Sequence, residues 1–370
     1  MIRSNVQAKQ CSVELQVCFH SPPIQKIQIK VIQSYQVIAS PTMEMQPLVF
    51  LLATQCYQRR ESSADSRSPI LMIFPFADLK KATRNFSPDL RLGRGGFGDV
   101  FLGWLDPYMY AYGDAVAVER HIVETDEGRA EWQAKLSFLG RLSHPNIISL
   151  LGYCSHEQEH LLVYEYMPKK SLKDVLFKDI SEPLSWGTRL TIMIGVARGL
   201  TYLHSLKAPV IFRDLKSSNI LLDADFNSKL TNFGLAKCIP VNGETYVTAT
   251  LVLGTYGYAD PAYIATGHLC VKSDIYSFGV VLLETLTGLQ VIDQKRPKEK
   301  NNLVEWVRPS LERRKKLKKI MDPRLEQNYP LEGAFRCTAL TLRCLENFPK
   351  DRPSSEEVLR SLEQIYMANK

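Results

Sequence analysis

The chain has 370 residues, 45% hydrophobic and 23% charged, with a formal charge of +7, a balance ordinary for a soluble globular protein. It is long enough for two or three compact units, and so modest a charge, with no nucleic-acid-binding module beside it, speaks against a nucleic-acid partner. Its eight cysteines (11, 18, 56, 154, 238, 270, 337 and 344) show neither C-x-x-C nor His/Cys metal spacing, which predicts free thiols in a reducing compartment.

In chain order, residues 1–69 read as a poorly ordered extension. Ile27, Ile29 and Val31 alternate with polar residues as a short strand would, but Gln, Ser and Pro interrupt every longer pattern. Leu48–Ala53 is too short to span a bilayer, Ile2 stands where N-myristoylation needs Gly, and no membrane anchor is expected. Gln58–Pro69 is a Ser-rich linker, and 70–89 a lead-in with a helix over Asp78–Asn85. From Leu90 to Glu119 the pattern is β-rich, followed by a helix over Arg129–Leu142 with Trp132, Leu136 and Leu139 on one face. Leu161–Tyr166 reads as a strand, and Leu190–Ser205, Asp274–Thr287, Ala334–Asn347 and Ser355–Ala368 as helices. The basic run Arg313–Lys319 reads as a solvated helix face rather than a patch for an acidic partner. A β-rich part (90–167) before a helical part (168–368) predicts an α+β fold of two lobes around a cleft.

Two motifs carry chemistry. Leu92–Val100 contains Gly93, Gly95 and Gly98 at G-x-G-x-x-G spacing, flanked by strand on both sides. Such glycines let backbone approach phosphate, and the flanks favour a hairpin lid over a dinucleotide-binding strand–helix turn, although a tight hairpin alone also needs glycine. Ile211–Asp223 is far more specific, with Asp214, Lys216 and Asn219 bounded by apolar strands. Asp214 would orient a substrate hydroxyl and accept its proton, Lys216 would neutralise a moving phosphoryl group, and Asn219 would hold a metal.

With Phe76–Leu79, Ala82–Phe86, Leu142–Ile147, Leu162–Met167, Gly254–Tyr258, Lys272–Gly279 and Asp351–Pro353, these motifs follow one family's order. From Phe76 to Met367 the chain resembles the eukaryotic protein kinases, and most closely the plant receptor-like cytoplasmic kinases. The resemblance implies a small β-rich N-lobe with its hinge, a larger helical C-lobe, and ATP in the cleft against Gly93, Gly95, Gly98, Val100, Ala117, Glu165, Met167 and Leu222. It also implies receptor kinases or immune signalling components as partners, and a cytoplasmic protein reaching the plasma membrane through them.

Departures from the family pattern shape the functional expectation. Glu119 ends the strand Val116–Glu119 where the family has a phosphate-binding Lys, and Lys135 stands where it has the paired Glu. Two like charges about 4 Å apart repel by roughly 4 kcal/mol at an effective dielectric of 20, so Glu119 both removes an attraction and adds a repulsion. The preferred reading is a reversed ion pair; the alternative is that Lys135 reaches the phosphates itself, as with-no-lysine kinases recruit a lysine from elsewhere. Asn232 replaces the Asp of Asp-Phe-Gly, so Asn219 and Asn232 would hold Mg²⁺ only weakly. Ala262 replaces Glu, which is expected to leave Arg352 without its buried partner, and Phe212 replaces His or Tyr yet could stack with Phe233 and Leu139. Thr245, Thr248, Thr250 and Thr255 are candidate phosphoacceptors, Thr248 and Thr250 foremost because they sit where the family is phosphorylated, with Arg213 able to receive the phosphate.

The resulting expectation is a pseudokinase with weakened ATP and Mg²⁺ binding, acting as scaffold, decoy or phosphorylation substrate. Two alternatives stand beside it: a weakly active Ser/Thr kinase, and a nucleotide-binding conformational switch.

Overall fold

The computed structural model describes residues 71–368 except 96–97, 111–114, 122–124, 179–182 and 312. The strand expected around Ile27–Val31 and the Ser-rich linker lie outside the described residues.

The N-lobe is a six-stranded sheet of β1 (Met72–Ile73), β2 (Arg91–Arg94), β3 (Gly98–Trp104), β4 (Ala115–His121), β5 (Leu150–His156) and β6 (Glu159–Glu165), in the order β1-β5-β6-β4-β3-β2. All neighbours are antiparallel except β1 and β5. Because side chains alternate along a strand, the sheet has two distinct faces. Phe101, Val116, Val118, Leu161 and Val163 form the outer face, sealed by Phe74, Leu79, Ala82 and Phe86 from the lead-in. The helix α1 (Phe76–Ala82) carries Leu79 into that core with no exposed surface. It stops before Asn85 because Arg84, Asn85 and Phe86 all turn left-handed, while Thr83 Oγ1 donates to Leu79 O and accepts from Phe86 N.

The inner face holds Val100 opposite Glu119, Ala117 opposite Tyr164, and Leu162. Against it packs α2 (Asp126–Leu139), which begins three residues earlier than its apolar stripe suggests. Thr125 caps it by accepting from Gly128 N at 3.1 Å, and Asp126 and Glu127 in the first turn suit the positive end of the helix dipole.

The C-lobe is built on α4 (Trp186–Ser205) and, after α3 (Leu172–Phe177), the loop strands β7 (Val210–Ile211), β8 (Ile220–Leu222), β9 (Ser228–Leu230), β10 (Lys237–Cys238), β11 (Val247–Thr248) and β12 (His268–Leu269), with the short α5 (Pro261–Thr266). The helix α6 (Val271–Thr287) is buried along almost its whole length and ends at Gly288, whose φ of 67° suits a residue without Cβ. Around these pack α7 (Leu303–Leu311), α8 (Leu317–Ile320), α9 (Leu331–Cys344) and α10 (Ser355–Met367). The fold is the two-lobed α+β arrangement expected. The basic run forms a 3-10 turn and α8, with Leu317 buried and its Lys and Arg side chains exposed. The five described cysteines are free thiols, and no helix among the described residues is long and apolar enough to cross a membrane.

Because Leu79 anchors the lead-in to the sheet, Leu79→Ala should lower unfolding free energy by about 2–5 kcal/mol. Urea denaturation reads this; a loss below about 1 kcal/mol would mean that the lead-in contributes little to the N-lobe core.

Candidate active-site cleft

Two consecutive elements bring Glu119 and Lys135 together, one from the inner face of β4 and one from the buried stripe of α2. Lys135 Nζ lies 2.7 Å from Glu119 Oε1 and 2.8 Å from Glu131 Oε1, one helical turn earlier. The second oxygen of Glu119 accepts from the Tyr164 hydroxyl at 2.9 Å. His121 Nε2 is 3.2 Å from that same oxygen, but neither ring nitrogen makes a hydrogen bond. Burial pushes the Glu119 carboxyl upward, yet Lys135 and His121 more than offset this and hold it well below the usual carboxylate range. Burial likewise acts to lower the Lys135 ammonium, and the carboxylates of Glu119 and Glu131 outweigh it and raise it. The reversed pair is therefore formed. Lys135 is 4% exposed and held between two carboxylates.

The substrate-facing loop is assembled beneath. Asp274 of α6 accepts from Phe212 N and Arg213 N at 2.8 Å each and pairs with His204 Nε2 at 2.9 Å, which fixes the loop although Arg213 has a φ of 71°. Asp214 Oδ2 meets Lys216 Nζ at 2.8 Å and Asn219 Nδ2 at 3.0 Å, while Oδ1 accepts from the Thr255 hydroxyl at 2.6 Å. Lys216 also donates to Thr255 at 2.8 Å. Thr255 thus closes the loop onto the activation segment. Thr245, Thr248 and Thr250 are exposed, and Thr248 pairs with His268 between β11 and β12. Arg213 is nearly buried, donates to Leu251 O and the Tyr263 hydroxyl, and leaves its Nε without a partner.

The loss of Glu at Ala262 does not strand Arg352. Its Nη2 lies 2.6 Å from Asp260 Oδ1 and also donates to Asn347 O, while Nε and Nη1 donate to the carbonyls of Glu346 and Lys272. The carboxylate has moved two residues along the chain, where Asp260 also caps α5 and accepts from Ser273. Phe212 and Phe233 pack edge to face at 5.0 Å within the core that contains Leu139.

The residues present fit one half of a nucleotide. Val100 and Ala117 are partly exposed on the inner sheet face, and buried Met167 has a main-chain N–H with no acceptor among the described residues. Glu165 spends its carboxylate on Ser149 N and Lys229 Nζ, leaving only main chain for a ligand. Leu222 is fully buried, so its placement as a cleft residue is corrected; Leu221, on the opposite face of β8, is the partly exposed one. Strand alternation within Ile220–Leu222 could have shown this. Gly98 has a reason of its own, since a Cβ there would strike the Arg120 carbonyl, while Gly93 and Gly95 face no such crowding. The metal-facing positions carry no carboxylate at Asn219 or Asn232. Asn232, left-handed at φ 68°, and Asn219, whose amide nitrogen serves Asp214, are both neutral, whereas Mg²⁺ favours carboxylate oxygens.

Glu119→Lys alone should cost about 3–5 kcal/mol, because it breaks a buried pair and sets two ammonium groups together. Adding Lys135→Glu should recover most of that loss in chemical denaturation, whereas additive losses would show that the two residues do not act as a pair.

Comparison with known proteins agrees with this architecture. Residues 86–362 match the family described as "Protein kinase domain". The chain is 49% identical over 307 residues to an Arabidopsis thaliana protein named "Probable serine/threonine-protein kinase CST", covering 82% of this chain and 73% of that one. It is 48% identical over 299 residues to "Receptor-like cytoplasmic kinase 176" of Oryza sativa subsp. japonica, covering 79% and 75%. A protein kinase domain in general uses ATP and Mg²⁺. With a two-lobed fold, an ordered substrate loop and these relatives, the chain belongs to the protein kinase family, among the receptor-like cytoplasmic kinases.

Proposed function

We propose that this receptor-like cytoplasmic kinase transfers no phosphoryl group and works as a scaffold, decoy or phosphorylation substrate beside receptor kinases, immune receptors among them. The observation that carries this reading is the engagement of Lys135 by Glu119 and Glu131, which leaves a carboxylate where phosphates need a cation. Asn232 adds a second deficit, because it removes the metal-facing charge. Each 1.36 kcal/mol of lost transition-state stabilisation is tenfold in rate, and losses at one reacting phosphate act together. On this reading the lead-in (70–89), the N-lobe with its hinge (90–167) and the C-lobe (168–368) supply shape, in the cytoplasm or at the plasma membrane through a partner. Exposed Thr248 and Thr250 would accept phosphate from an upstream kinase, and Arg213, which already donates to Leu251 O in the same segment, would receive it.

A second reading, weak Ser/Thr kinase activity, draws support from the intact Asp214–Lys216–Thr255 cluster. Transfer of labelled γ-phosphate to a generic protein substrate separates the two. We expect wild type and Asp214→Ala to be indistinguishable from background; wild-type labelling that Asp214→Ala abolishes would establish the weak kinase instead.

A further inference from the structure

A solvated helix face ordinarily interleaves charges of both signs, so that neighbours one turn apart attract. The run Arg313–Lys319 does not. From Arg313 to Met321 the chain holds six Lys and Arg and no Asp or Glu. All six cationic side chains are exposed, while Leu317, the one apolar residue within the run, packs in the C-lobe core with Leu311 and Met321. The 3-10 turn and α8 put Lys318 one helical turn after Arg314, and Lys319 one after Lys315, spacings at which like charges repel. Among the described residues a single ion pair answers this, Arg314 with Glu332 of α9 at 2.8 Å, and both partners are more than half exposed, where such pairs are weak. Arg336, exposed one turn further along α9, offsets that carboxylate. Lys318 finds only the neutral Gln327 Oε1, at 3.2 Å.

Six cations gathered with so little to neutralise them make a local positive field that the fold itself does not use. The chain's own N-terminal segment does not suit it, since residues 1–70 carry seven Lys or Arg against four Asp or Glu. A protein partner is ordinarily gripped by an apolar or aromatic anchor ringed by charge, and here the apolar residue is turned inward. Exposed lysines, each a hydrated point charge on a flexible stem, suit the diffuse negative charge of a lipid surface instead. We infer that this basic turn docks on an anionic bilayer, held by charge and not by insertion. The inference goes beyond the proposed function, in which a partner brings the chain to the membrane, and does not depend on whether phosphate is transferred.

The test is sedimentation of the full chain with vesicles of phosphatidylcholine, alone or mixed equally with phosphatidylserine. Only the anionic vesicles should bind it. Raising salt from about 0.1 M to about 1 M, which shortens the screening length from about 10 Å to about 3 Å, should release it. The variant Lys315→Gln, Lys316→Gln, Lys318→Gln, Lys319→Gln should bind at least about a hundredfold more weakly with its melting temperature retained, because each basic residue near such a surface contributes about fivefold. A control removes the same charge from exposed positions elsewhere, Lys80→Gln, Lys81→Gln, Lys207→Gln, Lys350→Gln, and should lose less than about tenfold. No preference for anionic vesicles, or a patch variant that binds no more weakly than the control, would overturn the inference. Tighter binding to soluble polyglutamate than to vesicles of equal negative charge would overturn it in favour of an acidic protein partner.

Discussion

The contact between Lys135 and Glu119 joins the helix α2 to the sheet, and the state of the cleft depends on it. Protein kinases place a lysine on the strand and a glutamate on the helix, so that the strand cation also counters phosphate. Reversing the two residues keeps the tether and changes what faces the ligand. The attraction is symmetric under exchange of charge, so the helix is held as before; the proposed loss of transfer rests on phosphate being an anion, for which the exchange is not neutral. Burial makes this a matter of several kcal/mol rather than a surface detail, since leaving either partner unpaired inside is costly.

The same distinction runs through the other departures. Arg352 keeps a buried carboxylate because Asp260 supplies what Ala262 cannot, and Phe212 keeps its ring against Phe233. Those changes preserve packing or pairing. Asn232 instead exchanges a carboxylate for a neutral amide at the position the family uses to hold Mg²⁺. Charges that hold the shape are matched elsewhere in the molecule.

Much of this is legible in the chain. The loop with Asp214, Lys216 and Asn219 is marked by its spacing, and the pairing of Glu119 with Lys135 follows from the family resemblance, which puts a paired Lys and Glu at those two positions. What escapes is contact across long separations. Asp260 lies 92 residues from Arg352, and nothing local marks it as a substitute partner. Glu131 as a second carboxylate on Lys135 was within reach, since an i,i+4 pair on one helix face is a local feature. The helix α2 starts early because capping by Thr125, not its apolar stripe, sets the boundary. Motif position points Leu222 at the cleft, and strand alternation puts it in the core instead.

The most direct test is the phosphoryl-transfer rate of the triple variant Glu119→Lys, Lys135→Glu, Asn232→Asp beside wild type, with a generic substrate and Mg²⁺-ATP. If misplaced charge alone separates this molecule from a working kinase, wild type should stay at background and the triple variant should rise at least about a hundredfold. A triple variant as silent as wild type, or a wild type that already matches it, would contradict the account.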